Sequence, residues 1–549
     1  MSKKLGIIAV LLIIAGAVFG GLFGKLPVKS SADTALTPEK IVADYREALN
    51  VIDNDYVGPI DHEKVTESSI QSMLFTLDPH SSFFTRDEFR KLYEDQSSQF
   101  YGIGVSILRH RDAVYIQSVI PNTPADKAGL RYGDKFLEIE GKNATEYSSA
   151  EVSKNVRGMR GTPVNIKIGR AGSDKPLNFT IVRGGVPLPS IRNYFMLKNG
   201  VGYVGFTGGF QETSADELDH AIADLKEQGM QSLILDLRGN PGGLLPQAIE
   251  VVSRFVPSNQ TVVSVKGHSR YAKSQELRTV SGNIQNFPLV VMIDGGSASA
   301  SEIVAGAIQD YGRGLIVGSD SFGKGLVQRV FPLPHGTGLT LTTARYYTPF
   351  GRSLQRDYSS GSIYDYYTHQ TGDEDGATPT TDAKPKPAGS PVTTAGGRVF
   401  YGGRGIEPDV KVPALTFTPL RFRIREATFF FVRQLIAGQI KGFENYKIDR
   451  QNYKQTVQPS DFQINDKLFE AFRAFTIKDI KDKESGLTAE NINSQSDYAK
   501  SRLREELATA NNSSEAGQQV FIETDPQVLR AIEAIPDAKK LLGSIMANK

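Results

Sequence analysis

The chain contains no cysteine. Disulfides, thiol catalysis and thiolate metal sites are thereby excluded, while an oxidising compartment is compatible with the composition without being required by it. A surplus of one charge is missing too: 63 basic and 61 acidic residues give a formal net charge of +2, with no long block of either sign. Nothing in the charge pattern asks for nucleic acid as a partner. Histidine is scarce, at seven residues, and none forms a His-Glu-x-x-His pair, so a zinc-peptidase helix is absent. The sequence also lacks a full Gly-x-x-x-x-Gly-Lys-Ser/Thr nucleotide loop and any repeat of solenoid type.

What is present describes an ordinary globular chain with many tight turns: 549 residues, 39% apolar, 23% charged and 53 glycines. That length predicts several structural units rather than one core. Lys3 and Lys4 precede an uncharged apolar run from Leu5 to Gly24, and Lys25 closes it. The run is long enough to cross a hydrocarbon core. A retained anchor is expected over a removable signal, because only a weak Val28-Lys29-Ser30 cleavage site follows. The membrane is thus an expected partner through residues 5–24, with the bulk of the chain outside the cytoplasm, in a bacterial periplasm or cell envelope.

Residues 37–100 read as helices, with Thr37-Pro38 as a helix start and Thr85-Arg86-Asp87-Glu88 as a capping box. From 101 to 186 short strands alternate with Gly, Pro and Asn turns, the signature of a separate, mostly β module. Between 187 and 356 apolar strands alternate with helical patterns, which predicts an α/β core completed by 398–413. Residues 357–397, rich in Ser, Thr, Gly, Pro and Asp, are expected to be a flexible surface insertion. The segment 414–549 is helical again, with 429–440, 466–475, 498–508 and 526–546 as the expected helices.

Three segments carry the chemistry. Leu289 to Glu302 reads as a buried strand, a glycine turn and a helix start, so a serine hydroxyl there projects outward beside free N–H groups. Alone this is weak, since Ser-Gly turns cap many helices without chemistry. Phe322-Gly323-Lys324-Gly325 sets a lysine between glycines, and in an extended chain Lys324 and Gln328 share a face. A free lysine is a poor base, with about one molecule in 2,500 neutral at pH 7. Catalysis requires burial to lower its pKa by roughly three units, about 4–5 kcal/mol. Asp236 to Gly243 reads as a strand entering a glycine loop whose amides suit half of an oxyanion hole.

Together with Leu77-Asp78-Pro79-His80-Ser81-Ser82, Tyr347 to Arg352 and Gly405 to Val410, these segments resemble, in order and in content, the carboxy-terminal processing peptidases. The resemblance spans about residues 37–413. It implies a multidomain α/β protein: a crotonase/ClpP-like α/β protease core, an inserted mostly-β PDZ domain, an N-terminal helical segment and a helical C-terminal region. It further implies Ser299 as nucleophile, Lys324 as general base and Gln328 as its orienting residue. Ser297 and Ser301 are then turn and capping residues. The oxyanion falls to the N–H of Ala300 with that of Gly242 or Gly243, and no metal or organic cofactor is needed. His80 reads as a structural hydrogen-bonding residue.

Residues 101–185 resemble a PDZ domain, with Gly102, Ile103, Gly104 and Val105 as its carboxylate-binding loop. Free amides in a glycine loop suit a terminal carboxylate, and an adjacent strand edge pairs with the peptide. Ile103 and Val105 are expected to favour an apolar last residue. Arg157 couples the module to the protease or is a plain surface arginine. Protein substrates held by their C-terminal tails are the expected partners, and self-association into a homo-oligomer is left open. Two other readings remain: a silent PDZ scaffold, which would have lost Ser299 or Lys324, and an esterase for small molecules, which would have no use for a tail-binding module.

Overall fold

The computed structural model describes residues 37–96, 98–267, 273–280, 282–358, 366–367, 389–478 and 486–547. The apolar run Leu5 to Gly24, expected to be an anchor, lies outside the described residues. Among the described residues no helix is long and apolar enough to cross a membrane. The chain divides into two units, residues 1–69 and 70–549. In the first, the helix Pro38–Asp55 starts at the Thr37-Pro38 signal and buries none of its residues. The second unit carries all the chemistry and is described from its sheet outward.

Six strands form the central sheet, in the order Asn193–Met196, Val201–Gly205, Ser232–Asp236, Leu289–Ile293, Leu315–Gly318 and Val410–Lys411. The first pairs antiparallel and the others parallel. Val201–Gly205, Ser232–Asp236 and Leu289–Ile293 are buried at every position, as strands covered on both faces must be. Alternate residues serve different cores. Leu233, Leu235, Val291 and Ile293 face the helices Ser214–Glu227, Leu245–Ser253 and Ala300–Asp310. Ile234, Val290 and Met292 face Val528, Ala531, Ala534 and Ala538 of the helix Pro526–Ala547. The C-terminal region therefore supplies the cover of the second face.

A second sheet holds Leu326–Pro332, Gly338–Tyr347, Thr261–Lys266, Gln275–Arg278 and Ser82–Phe84. The mostly β module is a five-stranded antiparallel path with Val105–His110 at its edge, followed by Ala113–Val119, Lys135–Ile139, Pro163–Gly169 and Leu177–Val182. The chain enters and leaves this module through one antiparallel ribbon, Gln99–Gly102 against Gly184–Pro187. Of the segment 357–397, the described residues include Pro391–Thr393, which pairs with Val399–Tyr401, and Tyr366, which is buried.

The C-terminal helices are Pro419–Ile436, Asp466–Lys478, Ala489–Ser494, Ser496–Asn511, Ser514–Ile522 and Pro526–Ala547. The first starts ten residues before the expected 429, because Thr418 accepts the Arg421 N–H at 3.2 Å and Pro419 stands in its first turn. Apolar residues of this region share one core with Ala113, Tyr115 and Tyr132 of the β module. His110 of the module stacks on Phe429 with ring centroids 3.7 Å apart and donates from Nδ1 to Glu426 Oε1 at 2.8 Å. Phe429→Ala is expected to cost about 3–5 kcal/mol, read as a fall in the urea midpoint of the transition that unfolds this shared core. An unchanged midpoint would show that module and helices are stabilised separately.

Candidate active site

The strand Leu289–Ile293 turns through Asp294 to Ser299 into the helix Ala300–Asp310. At Ser299 the backbone takes φ 54° and ψ −112°, a conformation that costs a non-glycine residue and marks a sharp strand-to-helix elbow. The three serines of this turn differ in kind. Ser297 is buried and donates to Leu237 O at 2.8 Å, and Ser301 is buried and donates to Asn240 O at 2.9 Å. Ser299 alone stands half-buried at the elbow. The two flanking serines stitch the turn to Leu237 and the Gly239–Gly243 loop that follows it, and two further bonds reinforce the seam: Gly239 N–H to Asp294 Oδ1 at 2.8 Å and Ala298 N–H to Asn240 O at 3.0 Å.

Glu302 joins Ser299 to Lys324. Its carboxylate is fully buried. Oε2 accepts the backbone N–H of Ser299 at 2.9 Å and that of Lys324 at 2.8 Å. Oε1 accepts the Ser321 hydroxyl at 2.5 Å and the Gly323 N–H at 2.7 Å. Burial pushes this carboxyl above the ordinary range, while four donors occupy its roughly four lone-pair sites and favour the ionised form. The motifs alone give Glu302 no role. Its position three residues after the helix cap, where a carboxylate reaches back to the cap N–H, is the signal that could have found it.

Burial pushes the Lys324 ammonium below the ordinary lysine range, against the attraction of the Glu302 and Asp78 carboxylates. Asp78 lies in the Asp-Pro-His-Ser turn, where Oδ1 accepts the N–H of His80 at 2.8 Å and of Ser81 at 2.9 Å, and Oδ2 the Ser81 hydroxyl at 2.7 Å. Gln328, on the strand Leu326–Pro332, donates from Nε2 to the His80 carbonyl at 2.6 Å. The His80 ring shares a hydrogen bond of 2.7 Å with the Tyr366 hydroxyl. Burial, helped by the Lys324 charge, pushes this imidazole down to about 3.

Gly242 and Gly243 lie against the elbow. Gly242 has φ 96°, and a Cβ there would stand 2.7 Å from Ala298 O and 2.8 Å from Ser299 Cβ, so only glycine fits. Its N–H is committed to Asn240 Oδ1 at 2.9 Å. Among the described residues the N–H groups of Gly243 and Ala300 donate to no protein acceptor. The other motif segments are staples. Asp310, at the far end of the elbow helix, pairs with Arg352 at 2.5 Å and accepts the Phe350 N–H at 3.0 Å, and Ile406 N–H reaches Ser321 Oγ at 2.7 Å.

In the β module Gly102, Ile103 and Gly104 are buried, and Val105 opens the edge strand. Gly104 has φ 90° and no room for a side chain, since a Cβ would meet Thr123 at 2.3 Å. Ile103 differs from expectation: its side chain belongs to the module's core, which removes it from the surface a tail residue would touch. The Arg157 guanidinium lies over the Phe100 ring at 4.0 Å, on the entry ribbon rather than on the protease sheets.

Two outcomes follow. Glu302→Gln turns an amide NH2 toward donors and strands about two of the four, at about 1–3 kcal/mol each; a fall in thermal stability of about 2–6 kcal/mol is expected, and a melt like that of the wild type would show the clamp to be dispensable. For His80, the unfolded chain takes a proton below about pH 6.5 that the folded ring refuses until about 3. Stability is then fully present above pH 6.5 and declines toward pH 3, by up to about 1.4 kcal/mol per pH unit. His80→Gln should flatten that slope in melts between pH 7 and 4.5; an unaltered slope would contradict a neutral His80.

Residues 200–367 match Peptidase family S41 and residues 102–181 match the PDZ domain. The carboxy-terminal-processing protease of Bartonella bacilliformis is 36% identical over 58% of this chain and 73% of its own length. The carboxy-terminal processing protease CtpB of Bacillus subtilis is 32% identical over 60% of this chain and 68% of its own. Among solved structures, a photosystem II D1 C-terminal processing protease is 24% identical over 67% of this chain and 86% of that one, with a TM-score of 0.35. The chain belongs to the carboxy-terminal processing peptidases, serine-type peptidases of family S41 that carry a PDZ domain in a multidomain α/β protein.

Proposed function

We propose that this peptidase is an endopeptidase that takes proteins by their C-terminal tails and cleaves them with Ser299 and Lys324 through an acyl-enzyme. One observation carries the reading: a single buried carboxylate oxygen, Glu302 Oε2, accepts the backbone N–H of both residues. Neutral Lys324 takes the Ser299 hydroxyl proton as Oγ attacks the scissile carbonyl. The oxyanion rests on the N–H groups of Ala300 and Gly243; Gly242, whose N–H is committed to Asn240, provides the close backbone approach. Collapse expels the amine, which takes the proton from Lys324. Water then attacks the acyl carbonyl, gives a proton to Lys324, and collapse returns it to Ser299 and releases a new C-terminal carboxylate.

Gln328 orients the base. Its Nε2 end is held by the His80 carbonyl, which leaves Oε1 to accept from Lys324. The downward push of burial on the Lys324 pKa is the direction general-base catalysis requires. The tail lies along the edge strand Val105–His110, its carboxylate at the Gly102–Gly104 loop beside Val105. The apolar run Leu5 to Gly24 puts this work outside the cytoplasm, beside a membrane.

The test is cleavage of an unfolded protein ending in an apolar residue. Ser299→Ala should abolish turnover and Lys324→Ala should lower kcat by about 10²–10⁴-fold. For the wild type, kcat/KM should climb with pH through a value below the ordinary lysine pKa of about 10.4, and amidation of the substrate tail should raise KM with little change in kcat. Equal cleavage by either variant would sink the reading.

A further inference from the structure

The C-terminal helical region meets the catalytic layer at Arg238, which stands directly before the Gly239–Gly243 loop. Each nitrogen of this largely buried guanidinium is engaged. Its Nε donates to both Asp236 oxygens at 3.0 Å and its Nη2 to Asp236 Oδ2 at 2.6 Å. Its Nη1 donates to Asp525 Oδ2 and to Gln527 Oε1, each at 2.8 Å. The Arg238 backbone N–H donates to Asp236 Oδ1 at 3.0 Å, and Tyr203 donates its hydroxyl to Asp236 Oδ2 at 2.8 Å. Burial works against the charge, and the two carboxylates outweigh it and keep the guanidinium protonated.

Asp525 and Gln527 are both buried at the head of the helix Pro526–Ala547. Each is divided between two tasks. Asp525 Oδ1 caps the helix, accepting the N–H of Gln527 at 2.8 Å and of Val528 at 3.4 Å, which leaves Oδ2 for Arg238. Gln527 donates Nε2 to Val412 O at 2.8 Å, which turns Oε1 toward Arg238. A planar fork held by Asp236, Asp525 and Gln527 at once has one orientation. The chain leaving Arg238 then enters the glycine loop in one register against Asp294, Ala298 and Ser301, its partners across the seam with the serine elbow.

We propose that Asp525 and Gln527 are positioning residues for the oxyanion loop, so that the C-terminal helical region belongs to the catalytic apparatus as well as covering the sheet. This rests on the reading of Gly243 and Ala300 as oxyanion donors. Misplacement of such a donor by a fraction of an ångström is felt in turnover, since an error of about 1 Å arising far from the chemistry can cost about 10²-fold.

Asp525→Asn is the discriminating variant. Its carbonyl oxygen still caps the helix, while its NH2 is turned against the Arg238 donor. In the full chain it should lower kcat about tenfold or more, leave KM within about twofold, and slow fluorophosphonate labelling of Ser299 by a similar factor; Gln527→Met, which removes one acceptor at nearly constant volume, should do the same to a smaller degree and decides the matter if Asp525→Asn does not fold. A role limited to holding the helix would lower the melting temperature and leave kcat and labelling of the folded enzyme within about twofold of wild type, which would overturn the proposal. A wild type that neither cleaves nor takes label would overturn the Ser299 reading and this inference with it; a wild type that does both, with variants equal to it, would overturn this inference alone.

Discussion

Everything at the site depends on one buried carboxylate. Glu302 sits in the first turn of the elbow helix and gathers donors from Ser299 on its own turn and from Ser321, Gly323 and Lys324 on the loop before the second sheet. Without an acceptor there, three backbone N–H groups would be buried unpaired, at about 1–3 kcal/mol each. The same charge acts on Lys324 in the direction that favours its protonated form, and burial acts the other way and prevails. The arrangement therefore holds the serine and the lysine with a group whose electrostatic effect opposes the proposed role of Lys324 and is outweighed by desolvation. A less buried lysine loop would keep the same hydrogen bonds and lose the downward push on the Lys324 pKa.

The core sheet makes that burial possible. Its three central strands are buried at every position because helices cover both faces, and the second cover comes from the last helix of the chain. The far end of the same helical region shares a core with the PDZ domain, and Tyr132 of that domain donates its hydroxyl to Glu506 of the helices at 2.7 Å. Tail-binding module, helical region and protease sheet thus form a continuous series of packed surfaces within residues 70–549.

Much of this was legible in the sequence, for physical reasons that can be stated residue by residue. The elbow announced itself because a five-residue apolar strand, a glycine pair and a helix cap are all local signals. The PDZ strands were marked by the Gly, Pro and Asn turns that separate them, which are local signals too. What stayed hidden was contact at long range. No local rule pairs Arg238 with Asp525 or sends the Gln328 amide to the His80 carbonyl. Ile103 misled because an apolar residue in a loop reads equally as a pocket wall and as core, and here the module's interior claimed it. Gly242 and Gly243 could be separated only through Asn240, whose side chain folds back on the first of them.

The ribbon that carries the PDZ domain has a consequence for how the chain reaches its native state. Gln99–Gly102 pairs with Gly184–Pro187, and the Leu188 N–H bonds to Ser98 O at 2.9 Å, so the protease portion of the chain is interrupted by a closed loop whose two ends touch. Closure entropy grows only logarithmically with loop length. A module that holds its own ends together lets Ser82–Phe84, on one side of it, reach its partner Gly338–Tyr347, on the other, as though the intervening residues were absent. The insertion thus shortens the effective contour of the chain for the pairing of Ser82–Phe84 with the second sheet.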